Sequence, residues 1–125
     1  MITINETRQN FFDKVVEHLA KQGQQSMMDG RCRYKTPDGL KCAIGIFIPD
    51  DKYKLEFEGR SIYSLERGCE VVFSGEADVR FASDLQSAHD SCTNVPSLRE
   101  SLYSIARTHR LDSSKLSLLK VWNGK

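Results

Sequence analysis

The sequence predicts a mainly α-helical fold, α+β only through one minor hairpin, with about four helices packed as a compact bundle around a single core. Three observations carry this. Apolar residues recur at offsets of three and four in separate stretches of the chain. Residues that start and stop helices flank those stretches. A chain of 125 residues, 39% hydrophobic and 28% charged, has the size and composition of one globular domain, spanning residues 1–125.

In chain order, Phe11, Phe12, Val15, Val16, Leu19 and Ala20 share one helical face, which predicts a helix from about Thr7 to Gln22. Asn5 or Thr7 can cap its start, and Gly23 can end it in the left-handed conformation. From Cys32 the pattern changes. Cys32 to Lys35 alternates, Thr36-Pro37-Asp38-Gly39 is a turn signal, and Leu40 to Ile48 is apolar, so a short hairpin is expected across the turn. The apolar part is read as a helix beginning near Cys42. Asp50 to Gly68 reads as irregular, with a short helix at about Ser61 to Glu66. Cys69 to Phe73 has strand composition but no evident partner.

The C-terminal half is more regular. Phe81, Ala82, Leu85, Ala88, His89 and Cys92 place a helix at about Ala77 to Ser91. Ser97 with Glu100 matches a capping box for the next, which carries Leu98, Leu102, Ile105 and Ala106 and ends near Arg110. Asp112 can cap a last helix bearing Leu116, Leu119 and Trp122 before Asn123-Gly124.

Composition narrows the function classes. The longest apolar run, Cys42 to Ile48, is far below the roughly 20 residues that span a bilayer, so no membrane segment is expected. No secretory leader is visible at the N-terminus, which points to the cytoplasm and to four reduced cysteines, at 32, 42, 69 and 92. A net charge of +1 gives no global field for nucleic acid or anionic lipid.

Candidate chemistry centres on a few side chains. Cys42, at the first turn of the expected helix and beside Lys41, has the setting of an activated thiol; His89 would be its base, with Asp84 or Asp90 as orienting carboxylate. Adjacency argues against Asp90 in that role, because neighbouring helical residues diverge. The plainer reading makes Cys42 a small core hydrophobe and His89 a buried, hydrogen-bonded histidine. His109 reads as a residue compensating a helix C-terminus, and His18 as solvated. A second arrangement groups Cys32, Arg33, Tyr34, Lys35 and Lys41 as a binding segment in which Arg33, Tyr34 and Lys35 contact phosphates or stack on a base. Without a C-x-x-C or H-x-x-x-H pair no metal site is predicted, and no cofactor is implied.

Gly30 to Tyr34, then Gly39-Leu40-Lys41-Cys42-Ala43-Ile44-Gly45, then Ile48-Pro49-Asp50-Asp51 with Tyr53 and Glu58-Gly59, and finally Leu85-Gln86 with His89-Asp90, resemble the motifs of a group of small uncharacterised bacteriophage and prophage proteins. The resemblance spans about residues 9 to 111 and leaves out the stretch from Glu66 to Asp78. It implies a phage origin and the host cytoplasm as the setting, and it marks Cys32, Tyr34, Cys42, His89 and Asp90 for attention. The leading expectation is a non-enzymatic accessory protein that binds and modulates or inhibits a host macromolecule, such as a defence-system component. The alternatives are a cysteine-dependent enzyme using Cys42 and His89, and a nucleic-acid or nucleotide binder built on Arg33, Tyr34 and Lys35. A homodimer is compatible with the sequence, though no residue specifies it.

Overall fold

The computed structural model describes residues 1–124. Its elements run β1 (Ile2–Ile4), α1 (Arg8–Gln22), β2 (Met27–Met28), β3 (Arg31–Cys32), α2 (Ile62–Arg67), β4 (Val71–Phe73), α3 (Val79–Ser91) and α4 (Val95–Thr108), with 3-10 turns at Gly45–Phe47, Leu55–Phe57 and Ser114–Leu118. Four α-helices and two two-stranded sheets among the described residues make a mainly α fold with a minor β component.

α1 forms where the sequence places it because the local signals agree. The Thr7 hydroxyl accepts from Asn10 N–H, Gly23 closes the helix at φ 71°, and Phe11, Phe12, Val15, Val16 and Leu19 are all buried. The Phe11 ring stacks on Phe47 at 4.2 Å between centroids and meets Phe81 edge-on at 5.8 Å, which ties α1 to the Gly45–Phe47 turn and to α3. The buried apolar residues form one cluster drawn from β1, β4, all four helices and the turns at Leu55–Phe57 and Ser114–Leu118, with Ile46 and Phe47 packed against it.

The strand at Val71–Phe73 finds its partner at the N-terminus: β1 and β4 pair in parallel, Ile2 opposite Val71 and Ile4 opposite Phe73. Three-residue segments this short leave little signal in sequence, and the pairing spans almost seventy positions. The hairpin also lies elsewhere than expected. β2 and β3 pair antiparallel, Met27 with Cys32, around Asp29 and Gly30, both at positive φ (56° and 76°). Two left-handed residues match the right-handed strand twist, and Asp-Gly is the dipeptide that adopts them readily. The turn at residues 36–39 is kept, but only a single Lys35–Lys41 bridge follows it.

No helix begins at Cys42. The chain runs through a turn into the 3-10 segment Gly45–Phe47 and is extended again at Ile48, the residue before Pro49, where the α conformation is disfavoured; Cys42 N–H donates to Tyr34 C=O at 3.1 Å. Gly45 faces the Tyr34 backbone so closely that a Cβ there would lie 2.0 Å from Tyr34 O, which explains glycine at this position without any appeal to φ. Two further boundaries shift. Asn94, not Ser97, caps α4 by accepting from Ser97 N–H, so Pro96 lies inside the first turn, where its missing N–H is harmless. The last helix contracts to the Ser114–Leu118 turn; Leu116, Leu119 and Trp122 are nevertheless buried.

Candidate functional site

α3 presents Ser83, Gln86, Ser87 and Asp90 at the helical offsets of three, four and seven, so they share one face. That face, β3 with the following Arg33 and Tyr34, and the loop at residues 58–61 enclose a cavity of about 270 Å³. The walls are held in place by polar residues that bind backbone. Glu58 accepts from Tyr34 N–H at 2.9 Å, from Lys35 N–H at 3.2 Å and from the Tyr53 hydroxyl at 2.5 Å. Tyr34 donates its hydroxyl to Arg60 C=O at 2.5 Å. The strand and the loop are thereby tied together across residues 34 to 60.

Behind the cavity, His89 is completely enclosed, 0% exposed. Ser26 N–H donates to its Nε2 at 3.0 Å. A backbone N–H can only donate, so Nε2 is the unprotonated nitrogen and Nδ1 carries the hydrogen. Nδ1 donates to Asp90 Oδ1 at 2.7 Å, and Gln86 Nε2 donates to the same oxygen at 2.9 Å. The ring also meets Trp122 edge-on at 5.6 Å. Gln25 reinforces this point by donating to His89 C=O and Asp90 C=O, both at 2.9 Å. Asp90 is therefore the group that orients His89, despite being its immediate neighbour. The two side chains diverge at Cα, as helical neighbours must, but the ring extends far enough past the helix surface for Nδ1 to reach the carboxylate.

The thiols do not have the setting of a nucleophile. Cys42 is 0% exposed, and its sulfur accepts from Gly45 N–H at 3.3 Å. Burial pushes its pKa up to about 12; backbone donors at Gly45 and Ile44 offset only part of that. Cys32 borders the cavity, where burial, and then the nearby Asp90 charge, push it likewise to about 12. Tyr34 is raised in the same direction, first by burial. Cys69 is exposed and Cys92 buried, away from the cavity.

Cys32, His89 and Asp90 bring one sulfur, one nitrogen and one oxygen within 4.8 Å of one another, a donor set suited to zinc by type. Sequence spacing gave no hint of it, because Cys32 lies on β3 and the other two on α3. The protonation pattern opposes ligation. A metal at Nδ1 would displace its hydrogen, and the neutral ring would then present N–H at Nε2 to the Ser26 N–H. The set fits a hydrogen-bonded junction better than a metal centre.

The basic segment is divided in function. Lys35 is 9% exposed and pairs with Asp50 at 2.5 Å; Lys41 Nζ lies 4.0 Å from the same carboxylate. Tyr34, 6% exposed, has no free face for base stacking. Of the nucleic-acid trio, Arg33 alone retains a guanidinium without an ion pair or hydrogen bond among the described residues. His18 is half-buried rather than solvated, and donates from Nε2 to Lys41 C=O at 2.8 Å. Its pKa is lowered, chiefly by that burial. His109 caps the C-terminal end of α4 and meets Phe81 edge-on at 5.0 Å. Among the described residues no helix is long and apolar enough to cross a membrane.

Sequence reasoning missed Gln86, Glu58 and Arg60 as structural parts of the site. Gln86 had a signal, one turn before Asp90 on the same face; Glu58 had none. No family model, curated protein or solved structure matches the chain.

Proposed function

We propose that this protein works as a phage accessory protein that binds and modulates a host macromolecule, with the face between β3, the 58–61 loop and α3 as its contact surface. One observation carries the choice over a thiol enzyme: Cys42 and His89 are both fully enclosed, and their polar atoms bond within the fold. A nucleophile and its base need access to substrate. Here the same residues brace a surface, and the groups left open beside them, Arg33 and Asp90, are of the kind that recognise a partner. A host protein fits that surface better than nucleic acid does, since Tyr34 and Lys35 are spent inside the fold.

The test is affinity capture from host lysate with the tagged full chain and with Arg33→Glu. A stoichiometric partner retained by the wild type and lost with the variant supports the reading. Absence of a stoichiometric partner, or capture indifferent to Arg33→Glu, counts against it. A turnover activity abolished by Cys42→Ala in a folded protein would reinstate the enzyme.

A further inference from the structure

The Asp90 carboxylate lacks a counter-ion. Its side chain is 40% exposed, and its partners, His89 Nδ1, Gln86 Nε2 and the Cys32 thiol, carry no positive charge. The imidazole is uncharged in this arrangement, because Nε2 accepts from Ser26 N–H. Gln86 is neutral by nature. Among the described residues no lysine or arginine nitrogen comes within 4.0 Å of the carboxylate. Two arginines border the same cavity: Arg33 forms no ion pair with Asp90, and Arg60 turns its guanidinium away, Nε donating to Ser64 Oγ at 3.1 Å, Nη2 to Ser64 C=O at 3.0 Å, and Nη1 lying 3.9 Å from Glu70. Glu58 spends both oxygens on the backbone amides of Tyr34 and Lys35 and on Tyr53.

A carboxylate fixed by two neutral donors on one oxygen, with the neutral Cys32 thiol as a further side-chain partner, is a pre-oriented acceptor whose charge stays unmatched. Its surroundings register the unbalanced charge, since Asp90 is among the causes that raise Cys32, Tyr34 and Cys42. The hydroxyl-bearing residues Ser83 and Ser87 stand on the same helical face, two turns and one turn before it respectively, and supply further acceptors. The cavity, about 270 Å³, has room for one long side chain and little more.

We propose that this cavity receives a basic side chain of the partner, a guanidinium or an ammonium, with Asp90 as its counter-ion and the Ser83–Ser87 face of α3 as its lining. This rests on the binding role proposed above and adds what the partner must present. A metal ion is the competing cation, and the hydrogen on Nδ1 disfavours it for the reason already given.

The experiment uses purified full-length protein labelled with ¹⁵N and titrated with N-acetyl-arginine methylamide, with the lysine equivalent, and with the citrulline equivalent, which keeps the shape and loses the charge. The expected result is saturable shifts at residues 32–34, 58–61 and 83–90 with one or both cationic probes, and at least roughly tenfold weaker binding of citrulline, the factor that about 1.4 kcal/mol of charge-assisted contact gives. Asp90→Asn keeps an acceptor for His89 and should weaken the cationic probes by a similar factor. Ser87→Lys, at an exposed position, tethers an ammonium one turn from Asp90 and should block the probe without disturbing His89. The proposal is overturned by equal citrulline binding, by probe binding unchanged in both variants, or by no saturable shift up to about 0.1 M probe. Zn²⁺ binding that Cys32→Ala abolishes would assign the cavity to metal and overturn it too. If the probes fail while lysate capture still depends on Arg33, the cation pocket falls and the binding role stands.

Discussion

His89→Leu keeps roughly the volume of the ring and removes both nitrogens. Ser26, 0% exposed, then has a backbone N–H buried without a partner. Such an orphan costs about 1–3 kcal/mol. Asp90 is partly exposed and can take water in place of Nδ1–H, so its loss adds at most about 1 kcal/mol. The edge-on contact with Trp122 contributes about 0.5–1.5 kcal/mol more. Together these predict destabilisation of about 2–4 kcal/mol, the Leu side chain restoring some apolar contact. The assay is urea unfolding followed by far-UV circular dichroism, where at a slope of about 1.5 kcal/mol/M the midpoint should fall by about 1.3–2.7 M. His89→Gln supplies the control: its amide oxygen can reach the Nε2 position and accept from Ser26, so it should recover part of the loss. A leucine variant within about 0.5 kcal/mol of wild type, or a glutamine variant no better than leucine, refutes the account of His89 as the junction between the β2–β3 hairpin and α3.

Four further outcomes follow from the same geometry. Gly45→Ala should destabilise by several kcal/mol or prevent folding, because the added Cβ would meet Tyr34 O at 2.0 Å; thermal melting checks it. Phe11→Ala removes the stack on Phe47 and the edge contact with Phe81, and should lower stability by about 3–5 kcal/mol in denaturant titration. At neutral pH iodoacetamide should modify exposed Cys69 first and Cys42 only as the protein unfolds; the rise of Cys42 from 9.0 to about 12 alone lowers its thiolate fraction on the order of a thousandfold, and burial slows it further, so rapid native-state labelling of Cys42 by mass spectrometry would contradict the burial. The folded-state pKa of His18 lies below the unfolded 6.5, so on acidification the unfolded chain takes up this proton first; stability should therefore fall as pH drops through 6.5, and His18→Gln should flatten that slope in unfolding curves between about pH 7.5 and 5.5.

Legibility in the sequence tracked how local each cause was. α1 and α3 were readable because cap, period and burial all lie within fifteen residues. The β1–β4 pairing was not, since its three-residue strands gain stability from each other across the chain. The hairpin was readable and overlooked: Asp29-Gly30 is a short-range signal, but the stronger-looking Thr36-Pro37-Asp38-Gly39 drew the assignment away from it. Cys42 shows a different limit. Its apolar neighbours fit a helix equally well, and periodicity over seven residues does not separate that from the observed turn and 3-10 segment ending before Pro49.

The His89-Asp90 pair shows why a correct rule gave a wrong conclusion. Adjacent helical residues do point about a quarter turn apart, so their Cβ atoms cannot face each other. But hydrogen bonding is decided at the tips of side chains. Asp90 is the last helical residue but one before Cys92, and the polypeptide beyond α3 turns away, leaving room for the carboxylate to fold back towards the ring. The ring in turn cannot rotate to avoid it, because Ser26 N–H holds Nε2 and Gln25 holds the carbonyls of both residues. The constraint comes from the hairpin, sixty-three positions earlier in the chain. Fixing a histidine this firmly leaves it no freedom to serve as a proton shuttle, and it leaves the carboxylate in front of it aimed at the cavity with its charge unmatched. The functional question therefore moves from the thiol and the imidazole to the group that answers Asp90.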